Sequence, residues 1–230
     1  MHPDAATASG ADGGPAQLRV ALVDDAPAIA AALGVWLGPS AEIVAFRRIE
    51  DLIASAPLTV DVVLLDLNLN DARREDASAL LAGIRGVREV VPLGPPVLVI
   101  TSDGRPRILA AALAAGAAGV LHKNEAPEMQ VQAVRTVAAG GSVISPAVAG
   151  AVRRVLAGHP ATLTDRQRNV LVMRVQGRSW AQIAKLLHVT EDTARDHLTA
   201  GIRKYQAFLA DRSLAELVQE LGVAPGDLAG

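Results

Sequence analysis

Four short hydrophobic segments, each ending in a polar or charged residue, most constrain how this chain can fold. They are Arg19-Val-Ala-Leu-Val-Asp24, Asp61-Val-Val-Leu-Leu-Asp66, Pro96-Val-Leu-Val-Ile-Thr101 and Ala118-Gly-Val-Leu-His-Lys123. Segments this apolar and β-branched are typical of buried parallel strands, not of solvated loops. Because the carboxyl ends of parallel strands share one edge of an open α/β sheet, where ligands bind, the four terminal residues are expected at one site.

Amphipathic or Ala-rich stretches typical of helices alternate with these strands. Strands are predicted at 19–24, 41–46, 61–66, 96–101 and 118–123, and helices at 28–37, 49–55, 76–85, 107–115 and 127–138. This alternation predicts an α/β flavodoxin-like domain, a doubly wound five-stranded parallel sheet with strand order 2-1-3-4-5. In that order the first and third strands are neighbours, which brings Asp24, Asp25 and Asp66 together. From Leu163 onward the pattern is helical, which predicts a separate all-α domain.

Length and composition indicate two domains and exclude several classes of protein. With 230 residues, 50% of them hydrophobic, the chain can form two domains with cores of their own. We expect a disordered arm at 1–17, the α/β domain at 18–139, a linker with a helix at 140–160, a helical domain at 161–222 and a tail at 223–230. The net charge of -2 argues against nonspecific coating of nucleic acid, so DNA binding needs a local basic face. The lack of cysteine, of a signal peptide and of a membrane-spanning run predicts a cytoplasmic protein without a membrane partner.

The acidic strand ends predict a site for Mg²⁺ and a phosphoryl group. Mg²⁺ prefers an octahedral shell of oxygen atoms, of which Asp24, Asp25 and Asp66 would supply the protein's share. We assign Asp66 as the nucleophile that forms an aspartyl phosphate, Lys123 as the neutralising cation and Thr101 as the hydroxyl that meets a phosphoryl oxygen. Each aspartate alone is better explained as a strand end or a helix cap. The ordered set favours a binding site.

This ordered set resembles the receiver domain of bacterial response regulators. The resemblance implies that a sensor histidine kinase phosphorylates Asp66 and that Mg²⁺ is the cofactor. The chain departs from the family pattern at two places, since residues 67–76 lack the usual Met-Pro-containing loop and glycine, and Val120 replaces a typical aromatic residue that changes rotamer on activation. His122, beside Lys123, faces the other way on the strand and is interpreted as a packing or surface residue.

The C-terminal part has the pattern of a helix-turn-helix. Thr164 is a plausible cap for a first helix, a second helix begins at Trp180, and His188-Val189 forms a tight turn before the cap Thr190. In the next helix, Glu191 to about Tyr205, one face is apolar and consists of Ala194, Leu198, Ile202 and Tyr205. The opposite face carries Thr193, Arg195, Asp196, Thr199 and Arg203 and is predicted to face outward.

These helices resemble the LuxR-type output domain of NarL/FixJ-type response regulators. The similarity lies in Leu163-Thr164, Val170-Leu171, Gly177, Ile183-Ala184, Thr193, Arg195, His197-Leu198 and Arg203-Lys204. It implies binding to double-stranded DNA through Thr193, Arg195, Thr199, Arg203 and Lys204. The chain differs in Gln167 and Asn169, where glutamates are usual, in Ala194, where valine is typical, and in Asp196, which puts a negative charge near the DNA phosphates. Trp180 is interpreted as a core residue.

A final apolar stripe indicates either a dimer interface or the end of the helical core. It consists of Leu214, Leu217, Val218 and Leu221. The family resemblance implies that this stripe makes the protein a homodimer. Closing the core of the helical domain is the alternative that the sequence leaves open.

Taken together, these features predict a two-component response regulator with an atypical receiver, acting as a DNA-binding transcription factor controlled at Asp66. The alternative is a phosphorylation-independent receiver governed by a ligand or a protein partner. A phosphohydrolase using Asp66 is a weaker candidate, since no cap or general acid is evident, so we expect no enzyme. Because Val120 has no hydroxyl or ring to relay a rotamer change, we expect phosphorylation to change DNA affinity by less than about tenfold.

Overall fold

The N-terminal domain is a parallel sheet covered by helices on both faces. The computed structural model describes residues 17–69, 77–145, 148–150, 153, 163–209 and 216. The strands are β1 Leu18–Val23, β2 Ala41–Phe46, β3 Val62–Leu65, β4 Val97–Thr101 and β5 Gly119–His122. They form one five-stranded sheet in the order β2-β1-β3-β4-β5, and every neighbouring pair is parallel. The predicted strand order is confirmed, and each strand lies within one residue of its predicted ends.

In the described part of this domain five helices flank the sheet: four of them join successive strands, and the fifth follows the last strand. They are α1 Pro27–Leu37, α2 Ile49–Ala54, α3 Ala77–Val90, α4 Pro106–Ala114 and α5 Pro127–Ala138, with short 3₁₀ helices at Gly38–Ser40 and Val91–Leu93. α3 continues past the predicted end at Arg85, because Val87 and Val90 are fully buried and extend the apolar face that begins at Ile84.

The sheet separates two hydrophobic layers, as the alternation of side chains along a strand requires. On one face Leu22, Leu64 and Leu98 pack with α1 and α5 through Leu33 and Val134. On the other face alternate strand residues pack with α2, α3 and α4, among them Ala21, Val63, Leu65, Val99, Ile84 and Ile108. All residues of β3 and β4 are buried. The polar residues that follow these strands are therefore held on a rigid support.

The described residues of the C-terminal unit, 163–209, contain three helices, and local sequence signals set their ends. They are α6 Asp165–Val175, α7 Trp180–Leu187 and α8 Glu191–Leu209. α6 and α7 each begin with a reciprocal capping box, Thr164 with Gln167 and Ser179 with Gln182. In the first of these boxes the side-chain oxygen of Gln167 accepts the hydrogen bond that the usual glutamate would accept. His188 takes the left-handed conformation, with φ 54° and ψ 46°, that ends α7 and makes the predicted tight turn.

Several predicted features fall outside the described residues. These are residues 1–16 of the predicted arm, most of the linker helix, the tail at 223–230 and the stripe of Leu214, Leu217, Val218 and Leu221. Within the predicted linker, residues 148–150 and 153 are helical. No helix in the described part of the chain is both long enough and apolar enough to span a membrane.

Candidate functional site

Three carboxylates and one lysine meet at the carboxyl edge of the sheet. Asp24 follows β1, Asp66 follows β3 and Lys123 follows β5. The Lys123 Nζ atom lies 2.8 Å from Asp24 Oδ2 and 2.8 Å from Asp66 Oδ2. Asp25 completes the group, because one carboxylate oxygen of each of the three aspartates lies within 4.8 Å of the others. The predicted convergence of these four residues is therefore present.

Backbone amides fix the orientation of two carboxylates. Asp24 Oδ1 accepts a hydrogen bond from the Ala26 amide at 2.8 Å, and Asp66 Oδ1 accepts one from the Asn68 amide at 3.1 Å. Both bonds run two residues forward, a local pattern that short acidic side chains adopt at strand ends. Each remaining Oδ2 atom is thus turned toward Lys123.

Burial and charge act in opposite directions on this cluster. Burial raises the pKa of Asp66 above its ordinary value of 3.8, although Lys123 and the Asn68 amide oppose the rise. For Lys123, burial disfavours the charged form, but Asp24 and Asp66 outweigh it and raise its pKa. The lysine therefore stays charged and holds two carboxylates that would otherwise repel each other.

The cluster fits a magnesium ion. The side chains of Asp24 and Asp66 are only 1% and 3% exposed. Asp24 Oδ2 is buried and, apart from its ionic contact with Lys123, has no hydrogen-bond donor in the described part of the chain. Mg²⁺ binds oxygen ligands and usually uses one or two carboxylates with water and phosphate. Asp24, Asp25 and Asp66 together provide such a set of oxygen atoms.

Thr101 and His122 lie beside the cluster but bind to backbone groups. Thr101 is fully buried, its carbonyl accepts from the Lys123 amide at 2.8 Å, and its Oγ1 accepts from the Asp103 amide at 3.1 Å. The His122 ring contacts the Ser102 carbonyl at 3.0 Å and accepts from the Asn124 amide at 3.1 Å. Of the loop that departs from the receiver pattern, residues 70–76 lie outside the described chain.

The second candidate surface is α8. The predicted cap is present, since the Thr193 amide donates to Thr190 Oγ1 at 3.1 Å. The predicted apolar stripe is buried, with Ala194, Leu198 and Tyr205 fully covered and Ile202 at 1% exposure. Arg203 is exposed, and its Nη2 donates to the Gly140 carbonyl at 3.5 Å. One expectation is wrong: Thr199 does not face outward but is only 8% exposed.

Comparisons with known proteins agree with both parts of the chain. Residues 20–135 match the response regulator receiver domain family, and residues 161–204 match the family of sigma-70 region 4. The chain is 30% identical to the nitrate/nitrite response regulator protein NarP of Escherichia coli K12, a match covering 81% of this chain and 87% of that protein. It is also 30% identical to the probable transcriptional regulatory protein NarL of Mycobacterium tuberculosis, with 87% of this chain and 93% of that protein covered. The transcriptional regulatory protein UhpA of Salmonella typhimurium is 29% identical, with coverage of 78% and 87%.

The chain belongs to the NarL/FixJ-type response regulators. It joins a receiver domain to a helix-turn-helix DNA-binding domain and is a transcriptional regulator. This family consists of DNA-binding regulators and is not one of known enzymes.

In this response regulator the DNA-binding domain packs directly against the receiver domain. The buried Tyr205 hydroxyl of α8 donates to the Ala110 carbonyl of α4 at 3.0 Å. Gln206 Nε2 donates to the carbonyls of Leu113 at 3.1 Å and Ala117 at 2.8 Å. We call these contacts between α8 and the α4 region the domain interface. Burial raises the pKa of Tyr205, so its hydroxyl remains a proton donor.

The domain interface is not among the features predicted from the sequence, although the composition of α4 carries a signal for it. The segment Ile-Leu-Ala-Ala-Ala-Leu-Ala-Ala from Ile108 to Ala115 has no polar face, and its residues are at most 7% exposed. A helix that is apolar all round is buried on all sides. A surface helix of an isolated α/β domain would have a polar face. The composition of α4 therefore indicated a second covering partner, which is α8.

Proposed function

We propose that this response regulator is phosphorylated on Asp66 by a sensor histidine kinase and thereby controls the binding of α8 to a double-stranded DNA operator. The observation that carries the proposal is the position of Lys123 Nζ, 2.8 Å from both Asp24 and Asp66. A phosphoryl group on Asp66 Oδ2 would replace the carboxylate as the partner of this cation. Lys123 would thus neutralise negative charge at Asp66 both before and after phosphorylation.

The residues of the site have separate roles in the proposed transfer. Asp66 Oδ2 forms the bond to phosphorus, and the bond from phosphorus to the donor's leaving group breaks. The Asn68 amide and Lys123 hold the carboxylate in place, as the 3.1 Å and 2.8 Å contacts indicate. Thr101 would donate its hydroxyl to a phosphoryl oxygen. Mg²⁺, held by Asp24, Asp25 and Asp66, would neutralise charge on the transferred oxygens.

We further propose that the protein acts in the cytoplasm as a homodimer, with the domain boundaries 18–139 and 161–222. The stripe of Leu214, Leu217, Val218 and Leu221 is our candidate for the dimer interface. Within α8 and its cap, the proposed DNA-contacting residues are Thr193, Arg195, Thr199, Arg203 and Lys204. Because Thr199 is buried here, the proposed DNA contact by Thr199 requires a conformational change that exposes its side chain.

The phosphorylation-independent alternative is not favoured. The relatives named above are transcriptional or response regulators, and the match to this chain covers most of the length of each. The close approach of the acidic cluster and Lys123 in this chain supports phosphoryl transfer. The proposed control by phosphorylation can be tested on an operator selected from random DNA. The Kd of the unmodified and of the phosphorylated protein for this operator is measured at one salt concentration.

Replacing Arg195 by Ala is expected to weaken operator binding. The Arg195 guanidinium can pair bidentately with a guanine or clamp a phosphate, so its loss should cost about 1–3 kcal/mol of binding free energy. The measurement is the Kd for the selected operator at fixed ionic strength, since phosphate contacts make binding salt-dependent. Arg85→Ala removes an exposed arginine of the receiver domain and is the matched control. If Arg195→Ala binds as tightly as wild type, α8 is not the reading helix.

Breaking the domain interface is expected to raise operator affinity. Gln206→Ala leaves the carbonyls of Leu113 and Ala117 without this donor, which should shift the protein toward a released DNA-binding domain and tighten binding roughly fivefold or more. Phosphorylation should change affinity by less than about tenfold, because Val120 cannot relay a rotamer change. Fluorescence anisotropy on the same operator measures both. A hundredfold effect of phosphorylation would show that another element carries the switch.

A further inference from the structure

A cavity of about 460 Å³ lies between the receiver and DNA-binding domains. Helix α5, the end of β5 and the segment at 142–145 line it from one side, and single residues of α6, α7 and α8 line it from the other. Much of the wall is apolar, with Val120, Met129 and Ile144 as examples. A partly open cleft of this size, mainly apolar and with a few charged groups, is typical of a site for a small organic ligand.

Arg174 of α6 is a partly buried cation in the wall of this cavity. Its Nη1 donates to the Arg178 carbonyl at 2.9 Å and its Nη2 to the Ile144 carbonyl at 3.4 Å. Its Nε is buried and has no hydrogen-bond partner among the residues that the structure describes. Both partners of Arg174 are neutral carbonyls, and no carboxylate of the described chain forms an ion pair with it. A partly buried cation therefore lacks a counter-ion.

A second cation faces the same aromatic ring. The guanidinium carbons of Arg174 and Arg195 lie 4.9 Å and 4.8 Å from the centre of the Trp180 ring. Burial lowers the pKa of Arg174, and the positive charge of Arg195 lowers it further. Glu191 pairs with Arg195 at 3.2 Å, whereas the exposed Glu125, which also lines the cavity, pairs with neither arginine in the described structure. An anion entering the cavity would thus be attracted mainly by Arg174, because Glu191 already neutralises part of the charge of Arg195.

The chemistry of the walls defines the ligand. A carboxylate matches the fork of a guanidinium, and a shift of the Arg174 side chain toward the cavity would let its buried, unpartnered Nε donate to that carboxylate. The Trp180 ring and the apolar wall offer packing for an apolar body, which an inorganic anion does not have. We propose that this cavity is a binding site for a small aromatic carboxylate, with Arg174 as the anchor for the carboxylate and Trp180 as the packing surface. The site shares no residue with the acidic cluster.

A fluorescence titration of the full chain tests this site. The chain has two tryptophans, so Trp36→Phe leaves Trp180 as the only tryptophan. The probes are sodium benzoate, its neutral isostere benzamide and sodium phosphate, each at constant ionic strength. We expect a saturable change with benzoate and binding of the other two that is weaker by roughly tenfold or more, because one lacks the charge and the other the apolar ring. A benzoate response that does not saturate, or equal affinity for benzoate and benzamide, would overturn the proposal.

Two substitutions at Arg174 and one matched control assign the anchor. Arg174→Gln should weaken benzoate binding by roughly tenfold or more, and Arg174→Lys, which keeps the charge without the fork, should lie between this variant and wild type. Arg178→Gln changes an exposed arginine that gives Arg174 only its backbone carbonyl, so it should bind benzoate as wild type does. Circular dichroism verifies that each variant is folded. If Arg174→Gln fails to fold, the Lys variant decides, and unchanged benzoate affinity in the folded variant refutes the assignment.

Discussion

Asp66→Asn is expected to abolish the phosphoryl adduct that forms on the wild-type chain with a small-molecule phosphodonor and Mg²⁺. The amide cannot act as the anionic nucleophile, although it has nearly the same size as the carboxylate. The Oδ2 atom that would attack phosphorus is the one that Lys123 contacts at 2.8 Å. Intact-mass spectrometry, with and without a chelator, measures the adduct. Wild type should gain one phosphoryl mass only when Mg²⁺ is present.

Asp61→Asn is the matched control, because it makes the same chemical change beside the other end of the same strand. Asp61 precedes β3, and its Oδ2 accepts from the Arg19 amide at 2.7 Å. This variant should form the adduct as wild type does. No Mg²⁺-dependent adduct on wild type, or an adduct that persists in Asp66→Asn, would contradict phosphorylation at Asp66.

The receiver fold could be predicted because its signals are local and repeated. Each strand is an apolar run whose next residues are polar, and strand order then brings separate strand ends together. Asp24, Asp66 and Lys123 lie far apart in sequence, yet their contacts follow from the positions of β1, β3 and β5 in the sheet. The rule that the carboxyl ends of parallel strands share one edge of the sheet is therefore enough to predict these long-range contacts.

The relation between the two domains could not be predicted in this way. The period of α8 places Tyr205 on its apolar stripe, but the same period fits packing within the helical domain or against a neighbour. The structure shows the second partner, since the Tyr205 hydroxyl meets the Ala110 carbonyl. The same period predicts that Thr199 faces outward, and its burial shows that helical period alone does not define the exposed surface.

The capping residues show how a departure from a family pattern can keep its physical role. Gln167 replaces a usual glutamate, yet its Oε1 accepts from the Thr164 amide at 3.0 Å and completes the capping box. Arg174 is a different case. The sequence around Arg174 does not indicate that Arg174 and Arg195 both make cation–π contacts with the Trp180 ring. These contacts depend on how α6, α7 and α8 pack.

Lys123→Met is expected to destabilise the receiver domain by about 3 kcal/mol in the absence of Mg²⁺. The substitution keeps the length of the side chain but removes the only cation that contacts Asp24 and Asp66 in the described structure. Breaking a buried ion pair by removing one partner costs a few kcal/mol, because the other charge stays buried without compensation. Urea unfolding with a chelator, followed through Trp36 in a Trp180→Phe background, measures the receiver domain. Arg85→Met, which removes an exposed cation of the same domain, should change stability by less than about 0.5 kcal/mol.

A double variant separates electrostatics from packing in this result. If the loss arises from two uncompensated carboxylates, adding Asp66→Asn to Lys123→Met should restore a large part of the stability, because one of the two repelling charges is gone. If the loss arises from packing of the lysine stem, the second substitution should restore nothing. Equal stability of Lys123→Met and wild type would show that Lys123 does not neutralise the cluster in the folded protein. The proposed role of this lysine in holding a phosphoryl group would then lose its structural basis.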